Sequence, residues 1–490
     1  MNIAILMTVP MIFVPGLSIH GSLMADPDLW WHISDARILC TTHHFIHTEP
    51  YSFTVAGQRW VNPEWLAEVP YWLSYQFVGL RGIYLLTWLT LCANIIFVYW
   101  RGYWMSRHAG AAFWAAGIGF CLMTLNSGPR TIAFGYLAMS AELAILEAAE
   151  RGHKQLLWLL PPLFCVWINL HGLWFIGLGL LALYILCGLA RVNLGVFEQE
   201  AFTSKDRNRL LGALGASVAA LIVNPYGWRL VWNPLDMMIN QKLNIANVQE
   251  WQPLDLNQFV GKCVVAAIGL MVVTNCIRGR KWKLFEMAFV FLAWYAAFAH
   301  ARFTFLAAVL TIPFLASDIE RSFCTESDEK TIPAMNALIA AGALALVVHI
   351  IPSQAALQAS LARLLPLQTI ASIQPTWRTI NVDNVGGMMA FDSKPSFIDS
   401  RFDTFEHHGV LKDFLDIARL QDSFNLLTKY RIDHALLRKD MPLCYLLEHT
   451  PGWVVERQEG TGETAYELFA NSNGAAAATV RSGAQLEKEK

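Results

Sequence analysis

What most constrains this chain is the repetition of long apolar stretches that are almost free of charge. A helix needs about 20 apolar residues to cross a bilayer, because every backbone N–H and C=O has to be satisfied inside the segment. Residues 2–24 form such a run, and others follow at 83–100, 111–125, 131–149, 156–168, 173–189, 210–223, 264–277, 284–299, 303–316 and 334–351. Together they predict about eleven spans, several of them short. Composition agrees: of 490 residues 55% are hydrophobic and 15% charged, so a polytopic membrane protein is expected. The first run lacks the basic segment and small-residue cleavage site of a secretory signal and reads as a retained helix. A net charge of -2 argues against a nucleic-acid partner. The nine cysteines fall mostly in apolar runs without metal-binding spacing, and read as small core residues.

The basic residues set the expected orientation. Arg101 and Arg107, Arg151 and Lys154, Arg191 with Lys205, Arg207 and Arg209, the group Arg278, Arg280, Lys281 and Lys283, and Arg321 with Lys330 occupy alternate loops. Those loops are expected in the cytoplasm together with the N-terminus. The opposite loops collect the unusual polar groupings: Asp26 with Asp28, residues 126–130, Asn169-Leu170-His171-Gly172, Asn224-Pro225-Tyr226-Gly227, Glu250-Trp251-Gln252-Pro253 and His300-Ala301-Arg302. Polar residues placed only for solubility would be divided between both faces, so the outer face is expected to carry the chemistry. Taken singly, Asn-Pro and His-Gly are also ordinary helix terminators.

The densest of these regions is 26–69, expected as one polar loop. It opens Asp26-Pro27-Asp28-Leu29-Trp30-Trp31-His32 and runs through Glu49 to Trp60-Val61-Asn62-Pro63-Glu64-Trp65. Carboxylates, a histidine and indole rings at a membrane surface suit a lipid substrate that bears phosphate or sugar. Asp26 and Asp28 equally suit the capping of a helix, and Trp30, Trp31, Trp60 and Trp65 suit anchoring at the interface. Glu49 and Glu68 are expected in loop structure or at the surface, with Glu64 supporting the site. Asp26, Asp28 and His32 lie within seven residues and could hold a hard divalent ion, Mg or Mn. Residues 70–79 read as an aromatic-rich interfacial helix.

From about residue 375 the chain turns polar, and short strand-like runs at 378–382, 388–391, 396–398, 432–437, 453–457 and 464–469 alternate with helical stretches at 407–420, 422–430 and 441–449. The expected division is a transmembrane domain over 1–352 with its first extracytoplasmic loop at 25–69, a small extracytoplasmic α/β domain over 353–470, and a disordered tail over 471–490. Val385-Gly386-Gly387 reads as a turn rather than a phosphate loop. Asp399 and Arg401 are expected to pair with each other or with the membrane part.

The run from Asp26 to His32, with Thr48-Glu49-Pro50-Tyr51-Ser52-Phe53 and Glu64-Trp65-Leu66, resembles the first extracytoplasmic loop of a large group of uncharacterised bacterial membrane proteins related to the C-type (GT-C) glycosyltransferases. Asn169-Leu170-His171-Gly172, Asn224-Pro225-Tyr226-Gly227, Trp251-Gln252-Pro253, Ala301-Arg302, Phe397-Ile398-Asp399-Ser400-Arg401 and Pro451-Gly452-Trp453 extend the resemblance to about residue 470. It implies a mainly α, GT-C-like transmembrane helix bundle of the bacterial cytoplasmic membrane. The implied reaction moves a sugar from a polyprenyl-phosphate or polyprenyl-diphosphate donor to a lipid, glycan or protein acceptor outside. Transfer with inversion needs a carboxylate to take the acceptor proton and cations at the leaving phosphate. The resemblance puts Asp26 in the place of the base and Asp28 beside it, orienting the acceptor. It makes His32, Arg130, His171 and Arg302 the phosphate contacts, and Trp30, Trp31 and Glu64 further substrate contacts. The competing expectation is a non-catalytic scaffold or transporter in envelope assembly. A transporter would place ionisable groups at mid-membrane, whereas these spans are nearly free of them, Glu142 and Glu147 excepted.

Overall fold

The computed structural model describes residues 24–324, 338, 341–342 and 351–472. The spans expected at 2–24 and 334–351 and the tail from 471 lie almost wholly outside those residues. Asp26 accepts the Asp28 N–H at 3.0 Å and Pro27 opens the first turn, so the chain enters a helix at once: α1, Pro27–Thr42. The stretch 26–69 is therefore not a single loop. Its first part is a helix buried over residues 29–36, and α2, Trp65–Val78, begins before its end.

The chain continues as α3 (Leu80–Ser106), α4 (Ala109–Met123), α5 (Ile132–Glu150), α6 (Leu160–Leu170), α7 (Trp174–Cys187), α8 (Ser204–Ala220), α9 (Trp228–Asn240), α10 (Lys242–Asn247), α11 (Phe259–Arg278), α12 (Leu284–Ala299) and α13 (Thr304–Phe323). Every apolar run read between 83 and 316 coincides with one of these helices. Five stretches, Leu80–Ser106, Ala109–Asn126, Ile132–Glu150, Phe259–Arg278 and Ala301–Phe323, are long and apolar enough to cross a membrane, while α6, α7 and α12 are apolar but shorter. This is a multi-pass membrane protein. Its axis is α13, buried at every residue from 304 to 319 and packed on α3, α4, α11 and α12; a helix apolar around its whole circumference has to be enclosed. Within the bundle Arg101 meets Glu147 at 2.6 Å and donates to the Val309 carbonyl at 2.6 Å.

Beyond residue 351 a four-stranded sheet forms, with β3 (Thr379–Asn381), β4 (His434–Arg438), β5 (Trp453–Glu459) and β6 (Tyr466–Asn471) in the spatial order β3-β4-β6-β5; a separate two-stranded hairpin, β1 (Val192–Leu194) with β2 (Phe197–Gln199), lies at the far end of the bundle. The strand expected at 388–391 is instead part of the helix Asp383–Phe391, and the glycine pair read as a turn lies inside it. The reason is close packing. A Cβ on Gly387 would stand 2.3 Å from the Pro27 carbonyl oxygen, and one on Gly386 would stand 2.3 Å from that of Ile398. Gly387 thus lets this helix lie directly on α1, and Gly386 lets it lie against the backbone at 398–399. The run 396–398 makes only an isolated bridge, Ser396 to Ser52, because it is spent on joining the domain to the 43–64 segment. The helix expected over 407–420 is broken by Gly409 at φ 74° into Phe402–His407 and Val410–Ala418.

Candidate active site

The polar connections at one end of the bundle close on α1 and on the C-terminal domain around a cavity of about 320 Å³. α1 contributes Asp28, Trp31 and His32, and the segment before α2 contributes Trp60 and Glu64. Arg130 comes from the α4–α5 connection, His171 from α6–α7, Glu250 and Trp251 from the segment before α11, and Arg302 from the tight turn between α12 and α13. Phe175, Ile176, Met237 and Met238 make one side apolar. The polar groupings around Asp28, Arg130, His171, Glu250 and Arg302 therefore meet in one place, while the grouping at 224–227 does not line it and its Tyr226 donates to the Ile46 carbonyl.

Asp26 and Trp30 stand apart from it. Asp26 is committed on both oxygens, Oδ1 to the cap of α1 and Oδ2 to Arg130 Nε at 2.7 Å. Successive helical residues point about 100° apart, so of the two tryptophans only Trp31 faces the cavity. Trp30 is 2% exposed and donates its indole N–H to the Met24 carbonyl at 3.0 Å. Trp31 instead donates to Ser400 Oγ at 3.1 Å and lies 3.3 Å from Asp28 Oδ1, which leaves the second oxygen of Asp28 unclaimed among the described residues.

Arg130 is held between Asp26 and Glu250. Burial opposes its charge, but Asp26 and Asp28 more than reverse this and raise the pKa of its guanidinium above the ordinary value. Arg302 has a different setting. Its guanidinium lies 4.2 Å from the Trp251 ring centroid, and among the described residues no carboxylate pairs with it. The backbone beneath it is pinned, its carbonyl accepting from Asn126 at 3.1 Å and from Tyr136 at 3.3 Å.

Glu64 is an acidic centre of the same cavity. It accepts from Thr131, lies 3.2 Å from His171 Nε2 and 3.5 Å from His32 Nε2, and its pKa is pushed by burial up to about 7. His171 Nδ1 accepts the Leu173 N–H at 3.1 Å, so the neutral ring carries its proton on Nε2 and offers it to Glu64. Burial, with Arg302 and His32 nearby, lowers the pKa of His171 to about 3 and keeps it neutral. Behind His32 stands Glu68, which is not at the surface. It is 1% exposed, 2.8 Å from His32 Nδ1, and accepts from Asn62 at 2.8 Å. Burial pushes its pKa up to about 8. Asp35, buried beyond it and also raised by burial, accepts the Tyr51 hydroxyl at 2.5 Å. The sequence did carry a signal for Glu68: Glu64, Ala67, Glu68 and Tyr71 fall on one helical face, and Tyr71 is a core residue.

Arg401 closes the cavity from the C-terminal domain. It meets Asp399 at 2.6 Å and Glu49 at 2.7 Å, with the rings of Trp31, Tyr51 and Trp60 within 5.6 Å. Asp399 and Arg401 thus pair both with each other and with the first loop, and Glu49 is buried rather than at the surface. Asp26, Asp28 and His32 do not assemble a cation site. Asp26 faces Arg130, His32 faces two glutamates, and the one cluster of three ligating groups among the described residues is Cys444, Glu448 and Glu467 in the C-terminal domain.

No protein-family model matches the chain, and no curated protein matches it. Solved structures do. The oligosaccharyltransferase of Archaeoglobus fulgidus in its apo form superposes with a TM-score of 0.53 at 10% identity, covering 88% of this chain and 70% of that one. ArnT from Cupriavidus metallidurans bound to undecaprenyl phosphate superposes with a TM-score of 0.51 at 15% identity, covering 96% of this chain and 97% of that one. The fold is the GT-C fold that these two membrane transferases share.

Proposed function

We propose that the protein is a bacterial membrane glycosyltransferase, with the cavity on the outer face, that moves a sugar from a polyprenyl-phosphate-linked donor to an extracytoplasmic acceptor with inversion. The observation that carries this reading is a single cavity lined by a carboxylate, Asp28, by a guanidinium without a carboxylate partner among the described residues, Arg302, and by apolar side chains. Support for the donor comes from the undecaprenyl phosphate bound to ArnT, whose fold this chain shares over nearly its whole length.

In this reading the donor's phosphate lies against Arg302 and Arg130, and its prenyl chain runs along Phe175, Ile176 and Met238. The acceptor oxygen attacks the anomeric carbon from the face opposite the phosphate. As that bond forms, the bond from the anomeric carbon to the phosphate oxygen breaks, its electron pair leaves with the phosphate, and the acceptor proton passes to Asp28. Asp28 is preferred to Asp26 as base because the carboxylate of Asp26 is already spent on a helix cap and an arginine. Positive charge held at the leaving group stabilises the transition state more than the ground state.

The test compares wild type, Asp28→Asn and Asp26→Asn, each purified in lipid, for transfer of radiolabelled sugar from a panel of polyprenyl-phosphate sugars to membrane extract. Wild type is expected to transfer, Asp28→Asn to lose transfer by at least about 100-fold, and Asp26→Asn to lose less. Equal loss in both variants would return the base to Asp26 or to the pair. Absence of transfer by wild type with any donor would favour a scaffold.

A further inference from the structure

A second cavity of about 310 Å³ adjoins the first, and Trp60, Asn233, Gln241 and Asp403 line both. Its character is different. The rings of Trp228 and Trp232 and the guanidinium groups of Arg59 and Arg229 form its wall. Both arginines are exposed, and among the described residues neither has a carboxylate partner; Arg229 has only the Trp228 ring, 5.9 Å away. Of the two acidic residues in the wall, Asp236 is occupied by His407 at 2.7 Å and by Asn240 at 2.8 Å. The other, Asp403, stands in the partition toward the first cavity, where burial pushes its pKa up to about 6. The two guanidinium groups are therefore the cationic groups in this cavity left without a carboxylate partner among the described residues.

Its outer lip is apolar. α9 carries Trp228 and Trp232 of this wall at 66 and 47% exposure, and farther along Ile239 at 56% and Met238, which belongs to the first cavity, at 64%, while its Asn233 and Asp236 look into the cavities. A helix with that division lies in a membrane interface, its apolar face in lipid and its polar face turned inward. An amphiphile entering along it would meet apolar rings first, then two unpaired guanidinium groups, then the partition to Asp28.

We infer that the second cavity receives the acceptor, and that the acceptor is an amphiphile with an anionic headgroup. The anion sits against Arg59 and Arg229, and the hydroxyl to be glycosylated reaches past Trp60 and Asp403 into the first cavity. The identification of this amphiphile as acceptor rests on the transferase reading above, whereas the binding of the anion does not.

The experiment uses the full chain in phosphatidylcholine nanodiscs and short-chain phosphatidic acid as probe, with diacylglycerol of the same chains as its uncharged counterpart. Native mass spectrometry reads binding to wild type and to the double variant Arg59→Gln/Arg229→Gln, with polyprenyl phosphate measured in parallel. Wild type is expected to prefer the anionic probe at least about tenfold, and the double variant to lose that preference while binding polyprenyl phosphate as wild type does. An equal response to both probes in wild type, or a preference unchanged in the double variant, overturns the proposal. Displacement by millimolar inorganic phosphate as effective as by the lipid would overturn the amphiphile and leave a free anion. Binding of phosphatidic acid by a wild type that refuses polyprenyl phosphate would uphold the anion site and remove the transferase reading.

Discussion

Two arginines line the first cavity, one from the bundle and one from the C-terminal domain, and their settings differ. Arg401, from the C-terminal domain, is 4% exposed and enclosed by Asp399, Glu49 and three aromatic rings. Arg302, from the bundle, has one ring and no carboxylate partner among the described residues. A buried charge is costly unless it is paired. Arg401 meets that requirement internally and so clamps the domain to the first loop. Arg302, only partly buried, holds its guanidinium open to something that enters the cavity. The same residue type is thus structural in one wall and a binding group in the other, and the partners decide which.

That contrast can be broken experimentally, and the largest effect is expected at the clamp. Arg401→Met leaves Glu49 and Asp399 buried and unpaired, so stability should fall by about 3–5 kcal/mol, read as a lower unfolding temperature in lipid. If Arg401→Met were as stable as wild type, the clamp would not hold the domain. Arg302→Gln should do the reverse. Stability should stay within about 0.5 kcal/mol of wild type, while affinity for polyprenyl phosphate falls by about 1.5–3 kcal/mol, the worth of a hydrogen bond to a charged group. A large loss of stability with affinity intact would make Arg302 structural as well.

A further effect, read through pH, concerns the acids behind His32. Glu68 is faced by His32 and Asp35 from α1, by Asn62 from the preceding segment and by Arg401 from the C-terminal domain. Its pKa is about 8 in the folded chain against 4.5 ordinarily, so between those values the folded state binds more proton than the unfolded. Stability should therefore decline as pH rises from 4.5 to about 8. Glu68→Gln should flatten that decline, measured as unfolding temperature against pH. An unchanged slope would mean that Glu68 is ionised in the fold.

How much of this could be read from the residues differs from element to element. The bundle could, because apolar length and the positions of Arg and Lys are direct consequences of the bilayer. So could the meeting of Arg130, His171, Glu250 and Arg302 at one end, since each sits in an alternate connection. The fate of neighbours within a helix could not. With 26–69 read as a loop, Trp30 and Trp31 had equal claims, and only the helical turn sends one to the core. Asp26 and Asp28 were separated in the same way, by a cap that fixes the first and leaves the second open to the cavity. Gly386 and Gly387 carried no readable signal, because the close approaches they permit, to Ile398 and Asp399 and to Pro27, are made only by the tertiary fold. Glu142 is buried without a hydrogen-bond partner among the described residues, and nothing in its surroundings explains it.

The measurement that bears most directly on the account is a cryo-EM structure of the full chain with polyprenyl phosphate in a nanodisc. The phosphate should lie within hydrogen-bond reach of Arg302, with the prenyl chain leaving between α7 and α9. A phosphate bound elsewhere, with Arg302 still bare of any anion, would contradict the role given to the first cavity.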